Sequence, residues 1–451
     1  MGALSDDDFK GMSPGQIFSI LRSRKGVSQH VAAKKIGCNR KDIYRWEHGK
    51  VFPIPPTLQA ICQYYGARPE IINRARSLVA ERRQASKPDD AFSHLKARLT
   101  TNSSTFDVVS LSLHNVDLIH QVENIEPDNE TTIQALLQSA GGSGANTLST
   151  LGRLGLKVAS IGMVSDDTAG RFLLDELQSA SVDTTGVFVL RDPAHTTGCT
   201  NIYADPTGRR SIYHFASINY KFAEYYQNHK LNGTFLEKVR SARLLHVTSF
   251  PEHSALAIQE DLVNELTTKQ LFSFNPGSFQ SAFGLNILGN LLRRTNVLFV
   301  YDNQLVTMLR NVGLYQNGMD TERLVDRFFR WRFDNGHSEP FILVLKNNPE
   351  LVRSNTKKEF ITAASSVRNS YVVAKTGHLK VPAKYVECVD STGAGDNCAA
   401  GIIYGLCKLT TFEETVDVAF GLALRASSQV GSRFSIKEDD ITSLRYLEWE
   451  L

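Results

Sequence analysis

The feature that most constrains the fold of this chain is a long alternation of short apolar runs with amphipathic runs, from about residue 105 onwards. The short runs are rich in Val, Ile, Leu and Phe, as buried strands are, and the longer runs repeat apolar residues at helical spacing. Strands that alternate with helices in this way predict a mostly parallel, doubly wound α/β sheet. The predicted strands are Phe106–Leu113, Lys157–Met163, Arg243–Thr248, Leu271–Phe274, Asn296–Tyr301 and Phe341–Leu345, and the predicted helices include Ala145–Leu154, Thr168–Gln178, Ala255–Thr268 and Phe279–Leu292.

One segment interrupts the alternation. The runs Cys199–Tyr203 and Ser211–Phe215 both have strand character, and they flank Asp205-Pro-Thr-Gly208, which is typical of a tight turn. We therefore expect a β-hairpin here, as part of a small β lid beside the main sheet.

Charge divides the chain unevenly. The 451 residues carry a net charge of only +3, whereas Lys10 to Gln84 hold 15 basic and 4 acidic residues, a local charge of +11. The remainder is therefore acidic, at −8. A strongly basic N-terminal piece joined to an acidic body indicates a module that binds a polyanion, attached to a domain with another task.

Composition also sets the expected boundaries. Ala80 to Ser104 is charged, contains a proline and ends in a Ser/Thr cluster, as linkers do. We expect an all-α domain at 10–75, a linker at 76–104 and an α/β domain at 105–451.

The sequence does not have the features of a membrane-spanning, secreted or zinc-binding protein. No apolar run approaches the roughly 20 residues that a membrane span needs, and the acidic N-terminus is unlike a signal peptide. None of the six cysteines forms a C-x-x-C pair, which predicts reduced thiols rather than a zinc site. We expect a cytoplasmic protein.

The basic region contains a pattern of two helices joined by a tight turn. Ser28 is placed to cap a first helix, and Gly37 supplies the turn. Asn39 is placed to cap a second helix whose Ile43 and Trp46 face inward, and Gly49 to end it.

This stretch resembles the lambda-repressor/Cro-like (XRE) helix-turn-helix family from Ile17 to about Tyr65. In that family the second helix enters the major groove of duplex DNA. The alternative is a helical bundle that binds protein and whose basic face is merely solvated. The resemblance implies DNA contacts, to bases or phosphates, from Gln29, Asn39, Arg40, Lys41, Tyr44 and Arg45.

The sharpest motif in the chain is Asp390-Ser-Thr-Gly393-Ala-Gly-Asp396, followed by a helical pattern. The small residues Gly393, Ala394 and Gly395 allow a ligand to approach the backbone closely. Free N–H groups at a helix N-terminus form an anion site suited to a phosphoryl group. Asp396 is placed to accept a proton from an attacking hydroxyl.

The body resembles the ribokinase/PfkB carbohydrate-kinase family, whose signature is close to Asp-Thr-Thr-Gly-Ala-Gly-Asp. Further matches, in the right order, are Asn115-Val-Asp117, Gly141-Gly-Ser-Gly-Ala-Asn146, Leu151-Gly-Arg-Leu-Gly155, Ile161 to Gly170, Asp205 to Arg209 and Phe274-Asn-Pro276. The resemblance covers about residues 105–451 and implies a ribokinase-like domain that phosphorylates a sugar-like hydroxyl with ATP and Mg²⁺.

The resemblance also implies roles for single residues. Asp396 would be the base, and Gly393, Ala394 and Gly395 the anion hole. Substrate would be held by Asp117, Gly142 and Asn146, nucleotide by Asn303 and Thr392, and a monovalent cation such as K⁺ by carbonyls of Asp390 and Thr392 near Gly431. The plainer alternatives are a solvated strand-end carboxylate at Asp117 and an ordinary turn at 141–144.

Two departures from the family pattern concern the nucleotide half. The family's Asn-x-x-Glu becomes Asn303-Gln-Leu-Val306, which lacks the acid that helps organise magnesium and phosphate. The family's Thr-x-Gly-x-x-Gly becomes a segment without glycine, at 346–350.

Three functions remain open on these grounds. The first is a transcription regulator, a homodimer on DNA, whose kinase-like domain senses a sugar, phosphosugar or nucleoside. The second is an active sugar or nucleoside kinase with an auxiliary DNA-binding domain. The third is a scaffold whose N-terminal bundle binds protein. The intact Asp396 turn favours catalysis, whereas Val306 and the 346–350 segment favour sensing.

Overall fold

The chain forms two compact units, Met1–Lys87 and Pro88–Leu451. A computed structural model describes residues 14–47, 55–67, 89–101, 104–126, 128, 130–205, 210–228, 231–337, 340–346, 370–374, 377–381 and 390–444. Each unit has its own buried core.

The first unit is a small all-α bundle. Its helices are α1 (Pro14–Arg24), α2 (Gln29–Ile36), α3 (Arg40–Glu47) and α4 (Pro55–Tyr65). Apolar side chains at helical spacing meet in one core that includes Phe18, Ala33, Ile43, Trp46 and Ile61. The inward-facing positions of α3 that the periodicity predicts are therefore confirmed.

The expected caps of α2, at Ser28 and Gly37, are present. The Ser28 hydroxyl accepts a hydrogen bond from the Val31 N–H at 3.3 Å, and Gly37 ends α2 in the left-handed conformation, with φ of 82°. At the start of α3 the Asn39 N–H donates to the Asp42 carboxylate at 3.2 Å. Gly49, which we expected to end α3, lies outside the described residues.

Within the residues that the structure describes, the second unit is built on a nine-stranded sheet with the order β13-β12-β11-β10-β9-β8-β1-β4-β5. All neighbours from β11 to β5 are parallel, and β12 and β13 are antiparallel. The strands of this sheet are β1 (Phe106–Leu111), β4 (Val158–Ser165), β5 (Val182–Leu190), β8 (Ala242–Thr248), β9 (Leu271–Asn275), β10 (Val297–Tyr301), β11 (Ile342–Lys346), β12 (Ser370–Ala374) and β13 (Gly377–Val381). This is the α/β architecture predicted from the alternation.

Helices cover both faces of the main sheet. Successive strand residues point to opposite faces, so Val108 and Leu244 join one core while Val109 and Leu245 join the other. The helices are α5 (Asp89–Thr100), α6 (Ser143–Arg153), α7 (Thr168–Ser179), α8 (Phe222–Asn228), α9 (Leu231–Arg240), α10 (Ala255–Asn264), α11 (Gly277–Ser281), α12 (Gly284–Ile287), α13 (Gly289–Arg294), α14 (Asp302–Arg310), α15 (Thr321–Asp334), α16 (Ala394–Lys408) and α17 (Phe412–Ser427).

A second sheet of four strands has the order β3-β2-β6-β7. Its strands are β2 (Asn115–Val122), β3 (Ile133–Ala140), β6 (Gly198–Ala204) and β7 (Arg210–Phe215). β6 and β7 pair antiparallel, as the predicted hairpin requires. The turn residues 206–209 lie outside the described part of the chain.

The structure differs from the expected linker at 76–104. Residues 89–100 of that segment form α5, and its Phe92, Leu95 and Leu99 are fully buried in the core of the second unit. The spacing of these three side chains places them on one face of a helix. The charged residues between them gave this segment the composition of a linker, although one face of it is part of the core.

The predicted helix Phe279–Leu292 is also different. It is divided into α11, α12 and α13. Gly284, the first residue of α12, has a φ of 82°, which does not continue the helix from α11.

Two further findings concern the described residues only. Among them, no helix is both long and apolar enough to cross a membrane. Five cysteines are described, and all five are free thiols; Cys388 lies outside the described ranges.

Candidate active site

The candidate site lies at the carboxyl ends of the parallel strands, where ligands bind in open α/β sheets. Its centre is the N-terminus of α16, where Gly393 precedes the helix with a φ of 78°. A Cβ atom on Gly393 would lie 2.2 Å from Cβ of Ser432, so no other residue fits this turn. The first N–H groups of α16 have no acceptor within the helix. The Ala394 N–H donates to the Ser391 carbonyl at 3.3 Å, and within the described residues those of Gly395 and Asp396 remain available to an anion.

Asp396 lies in the first turn of α16 and is held by side chains from α6. The Ser143 hydroxyl donates to Oδ1 of Asp396, and Nδ2 of Asn146 donates to Oδ2 at 2.9 Å. The Thr147 hydroxyl donates to the Asp396 main-chain carbonyl at 3.1 Å. Two residues of α6 therefore hold the carboxylate that the sequence singles out as a base, and a third holds its main chain.

The surroundings of Asp396 affect the pKa of its carboxyl group in opposite directions. Loss of water raises the pKa of its carboxyl above the ordinary value, since burial disfavours the charged form. The hydrogen bonds from Ser143 and Asn146, and the charges of Lys346 and Arg433, act in the other direction. A carboxyl group whose pKa burial raises, and which donors orient, is suited to accept a proton from a hydroxyl.

Asn146 is buried and fully engaged. Its Oδ1 accepts from Nε of Arg433 at 3.1 Å, while Nη2 of Arg433 donates to the Gly141 carbonyl at 2.9 Å. Burial lowers the pKa of Arg433 to about 10. Arg433 therefore links the turn at 141 to the residue that orients Asp396, a contact that no motif in the sequence indicates.

Asp117 lies on β2 of the small sheet and is buried, with 7 % of its surface exposed. A Cβ on Gly141 would lie only 2.4 Å from its carboxylate oxygens, so this turn packs directly against Asp117. Burial raises the pKa of Asp117 to about 7, although a hydrogen bond from Thr200 and the charge of Arg433 lower it. Asp117 is therefore not the solvated strand-end carboxylate of the plainer reading.

Gly142, the other predicted substrate contact, precedes α6 with a φ of 94°. A Cβ there would lie 2.1 Å from the Leu113 carbonyl oxygen. The segment 141–144 thus connects the small sheet to the helix that carries Ser143 and Asn146.

The predicted cation ligands form a compact turn. The Asp390 carboxylate accepts hydrogen bonds from the N–H of Thr392 at 2.9 Å and from the N–H of Gly431 at 3.0 Å. Arg210 of the small sheet reaches the same turn: its Nη1 lies 3.4 Å from Oδ1 of Asp390 and 3.3 Å from the Thr392 hydroxyl. The turn therefore brings Asp390, Thr392 and the Gly431 loop together, with a guanidinium against them.

A buried lysine lies beside the anion site. Lys346 ends β11 and is 4 % exposed, and a Cβ on Gly395 would come within 2.9 Å of its Nζ. The Tyr301 hydroxyl lies at the same distance from that point, and the ammonium is 4.4 Å from the centre of the Tyr301 ring. The sequence shows Lys346 only as the start of a segment that departs from the family pattern.

The segment that replaces the family's Asn-x-x-Glu begins α14. Asn303 is exposed, and its carbonyl accepts from the Thr307 hydroxyl at 2.9 Å. Val306 is partly buried and lines a cavity of about 710 Å³ together with Asp302, Asn303 and Arg310. Most of the departing segment at 346–350 lies outside the described residues.

A metal ion bound by the protein alone requires several His, Cys, Asp or Glu side chains close together. Within the described residues, no three His, Cys, Asp or Glu side chains cluster as a metal site requires. Mg²⁺ in phosphoryl-transfer sites is held largely by substrate phosphates and water.

The first unit presents a separate candidate surface. Asn39, Arg40, Lys41 and Tyr44 are exposed at or near the start of α3. Gln29 is only partly exposed, because its side-chain amide donates to Glu47 at 2.8 Å, and Glu47 also pairs with Arg22. Arg45 belongs to α3, but its side chain lies outside the described part of the structure.

Each of the two units matches a known protein family. Residues 105–277 and 348–439 match the family model of the pfkB family carbohydrate kinases, and residues 15–74 match that of a helix-turn-helix domain. The chain is 24 % identical over 337 residues to the ATP-dependent ribose-1-phosphate kinase of Halopiger xanaduensis. The aligned region covers 74 % of this chain and 97 % of that protein.

Other relatives show the same relationship. The 5-dehydro-2-deoxygluconokinase of Bacillus subtilis is 23 % identical over 338 residues, 74 % of this chain and 92 % of its own. Arabidopsis thaliana ribokinase, solved with ribose and ATP, superimposes with a TM-score of 0.57 at 16 % identity, covering 76 % of this chain and all of that one. This chain therefore belongs to the pfkB family of carbohydrate kinases and carries a helix-turn-helix domain at its N-terminus.

Proposed function

We propose that this protein is a sugar- or phosphosugar-responsive transcription regulator, which binds operator DNA through its helix-turn-helix domain and senses ligand with its kinase-like domain. The observation that carries the proposal is the presence in one chain of an exposed basic recognition helix and a closed, hydrogen-bonded substrate site. We further propose that it acts in the cytoplasm as a homodimer.

The DNA half rests on charge and exposure. Arg40 and Lys41 stand exposed at the start of α3, the end that contacts base edges in helix-turn-helix proteins. The surrounding segment carries +11, which favours association with a phosphate backbone. A solvated interaction bundle would have no need of this charge.

The ligand half rests on Asp117 and its neighbours. A buried carboxylate beside a close-packed glycine turn is an acceptor for the hydroxyls of a sugar. The nucleotide half departs from the family at Val306 and at 346–350, as a domain that binds sugar without turning it over rapidly would.

A thermal-shift screen tests this proposal. The full-length protein is mixed with sugars, phosphosugars and nucleosides, each with and without ATP and Mg²⁺, and every compound that raises Tm is added to a DNA-binding assay. The proposal expects at least one compound to raise Tm and to change the affinity for DNA. If every stabilising compound leaves DNA affinity unchanged, the regulator reading is wrong.

The second candidate is an active ATP-dependent sugar or nucleoside kinase, and the geometry of Asp396 favours it. In this reading the sugar hydroxyl loses its proton to Oδ1 or Oδ2 of Asp396, while the amides at Gly393–Gly395 stabilise the charge on the transferred group. ATP with Mg²⁺ supplies the phosphoryl group, and K⁺ at the Asp390–Thr392 turn would steady the anion site. Release of ADP in the presence of the stabilising compound distinguishes this candidate from the first.

A further inference from the structure

Lys346 is a buried cation with no assigned role. The ammonium rests on the Tyr301 ring, and within the described part of the chain no hydrogen bond or ion pair engages it. An ammonium has three N–H donors, and a contact with a ring face satisfies none of them fully. Desolvating such a group without an anionic partner is costly.

The direction of the side chain suggests the missing partner. Nζ lies where a Cβ of Gly395 would nearly touch it, at 2.9 Å, so the ammonium borders the first turn of α16. The Ala394 N–H of that turn donates to the Ser391 carbonyl at 3.3 Å, whereas within the described residues the N–H groups of Gly395 and Asp396 have no acceptor and are available to an anion. Two independent features, the free amides and the buried ammonium, therefore face the same small space.

We propose that Lys346 is a phosphate-binding residue, whose ammonium donates hydrogen bonds to a phosphoryl group held by the amides of Gly395 and Asp396. This inference rests on the proposed function, because it requires that the kinase-like domain binds a phosphorylated ligand. The phosphoryl group belongs either to the end of a nucleoside triphosphate or to a phosphosugar. In either case Lys346 supplies positive charge beside the first turn of α16.

A second role for the ammonium makes different predictions. Lys346 also lowers the pKa of Asp396 through its charge. If it served only as a counter-ion for Asp396, its removal would shift the pH dependence of the site without a selective effect on phosphorylated ligands.

The test uses full-length protein and isothermal titration with three probes: AMP-PNP with Mg²⁺, ribose 1-phosphate and ribose. The variants are Lys346→Met and Lys346→Arg. Lys157→Met is the matched control, since Lys157 is exposed and precedes β4 at the opposite, amino-terminal edge of the parallel sheet.

We expect Lys346→Met to weaken binding of a phosphorylated probe by about 10- to 100-fold, the usual effect of losing a charged hydrogen bond. Binding of ribose should change less than about two-fold, Lys346→Arg should keep most of the affinity, and Lys157→Met should behave as the wild type. The probe that loses affinity identifies the source of the phosphoryl group. Should Lys346→Met fail to fold, Lys346→Gln compared with Lys346→Arg gives the same contrast.

Four results would overturn the inference. Equal binding of phosphorylated probes by the wild type and Lys346→Met refutes the role of Lys346 and leaves the proposed function standing. Binding of ribose with no binding of either phosphorylated probe does the same. A parallel loss of ribose and phosphorylated probes shows that Lys346 only maintains the site. A wild type that binds no probe, and whose DNA affinity responds to no sugar, refutes both proposals.

Discussion

Nδ2 of Asn146 lies 2.9 Å from Oδ2 of Asp396, and this hydrogen bond lowers the pKa of a carboxyl group whose pKa burial raises. The orientation of the amide is set on its other side by Arg433, which donates to Oδ1. The protonation of Asp396 therefore depends on a residue in the loop after α17 as well as on the motif in which it lies.

The first prediction concerns turnover. Asp396→Asn keeps the shape of the side chain but removes the proton acceptor, so any ATP-dependent phosphorylation should fall by about 10²- to 10⁴-fold. ADP release measures this, with Asp175→Asn, an exposed position on α7, as the control.

Ligand sensing should survive the same substitution. In the regulator reading, control of DNA binding by sugar needs the site to close and does not need phosphoryl transfer. If Asp396→Asn abolished the sugar response of DNA binding together with turnover, control would have to depend on catalysis.

The second prediction concerns the ligand. Asp117→Asn replaces an anionic acceptor of hydroxyls with an amide, and a site built to hydrogen-bond hydroxyls loses much of its affinity when that partner is changed. The increase in Tm produced by sugar should disappear in this variant and remain in Asp175→Asn. An unchanged increase would mean that substrate does not contact Asp117.

The third prediction is the dependence of stability on pH. The pKa of Asp117 is about 7 in the folded chain and about 4 in an unfolded one, so the folded state holds the proton more tightly. This contribution is fully present below about pH 4 and is lost as pH rises to 7, with a slope of at most about 1.4 kcal/mol per pH unit. The free energy of unfolding of the wild type should therefore fall relative to that of Asp117→Asn over this range. Chemical denaturation at pH 5, 6, 7 and 8 measures the difference, and a constant difference would contradict the raised pKa.

Much of this site was predictable because its residues lie in short local motifs. Gly393 and Asp396 are three positions apart at the N-terminus of α16. The local helix geometry brings them together, whatever the position of the helix in the fold. Asp117 and Asn146 also fall in recognisable sequences, and the fold brings them to the same edge of the sheet.

The rest depends on distant parts of the chain. Arg433 is 287 residues from Asn146, which it holds, and nothing in its own neighbourhood marks it. Lys346 is the last residue of a buried strand, and its importance is visible only once β11 is placed next to α16. The burial of α5 is not evident from composition, because its solvent face is highly charged and conceals the three buried positions at 92, 95 and 99.

The fourth prediction concerns DNA. Replacing both Arg40 and Lys41 by Ala should weaken binding to duplex DNA, and each lost phosphate contact should reduce the dependence of log affinity on log salt by about 0.9. Both side chains are exposed, so Tm should stay within the range of the wild type. The double variant Lys157→Ala, Arg323→Ala removes two exposed cations of the other unit as the control. If both double variants bind DNA as the wild type does, α3 is not the recognition helix.

The most direct test of the central claim is the affinity of the full-length protein for its operator DNA, measured by fluorescence anisotropy with and without the sugar or phosphosugar that stabilises it most. Sensing by the kinase-like domain predicts a change of at least about five-fold in Kd, the lower end of typical coupling between two sites, and no change in Asp117→Asn. An operator affinity that is identical at zero and saturating ligand, together with rapid Asp396-dependent phosphorylation of that same ligand, would contradict the claim and place the kinase first.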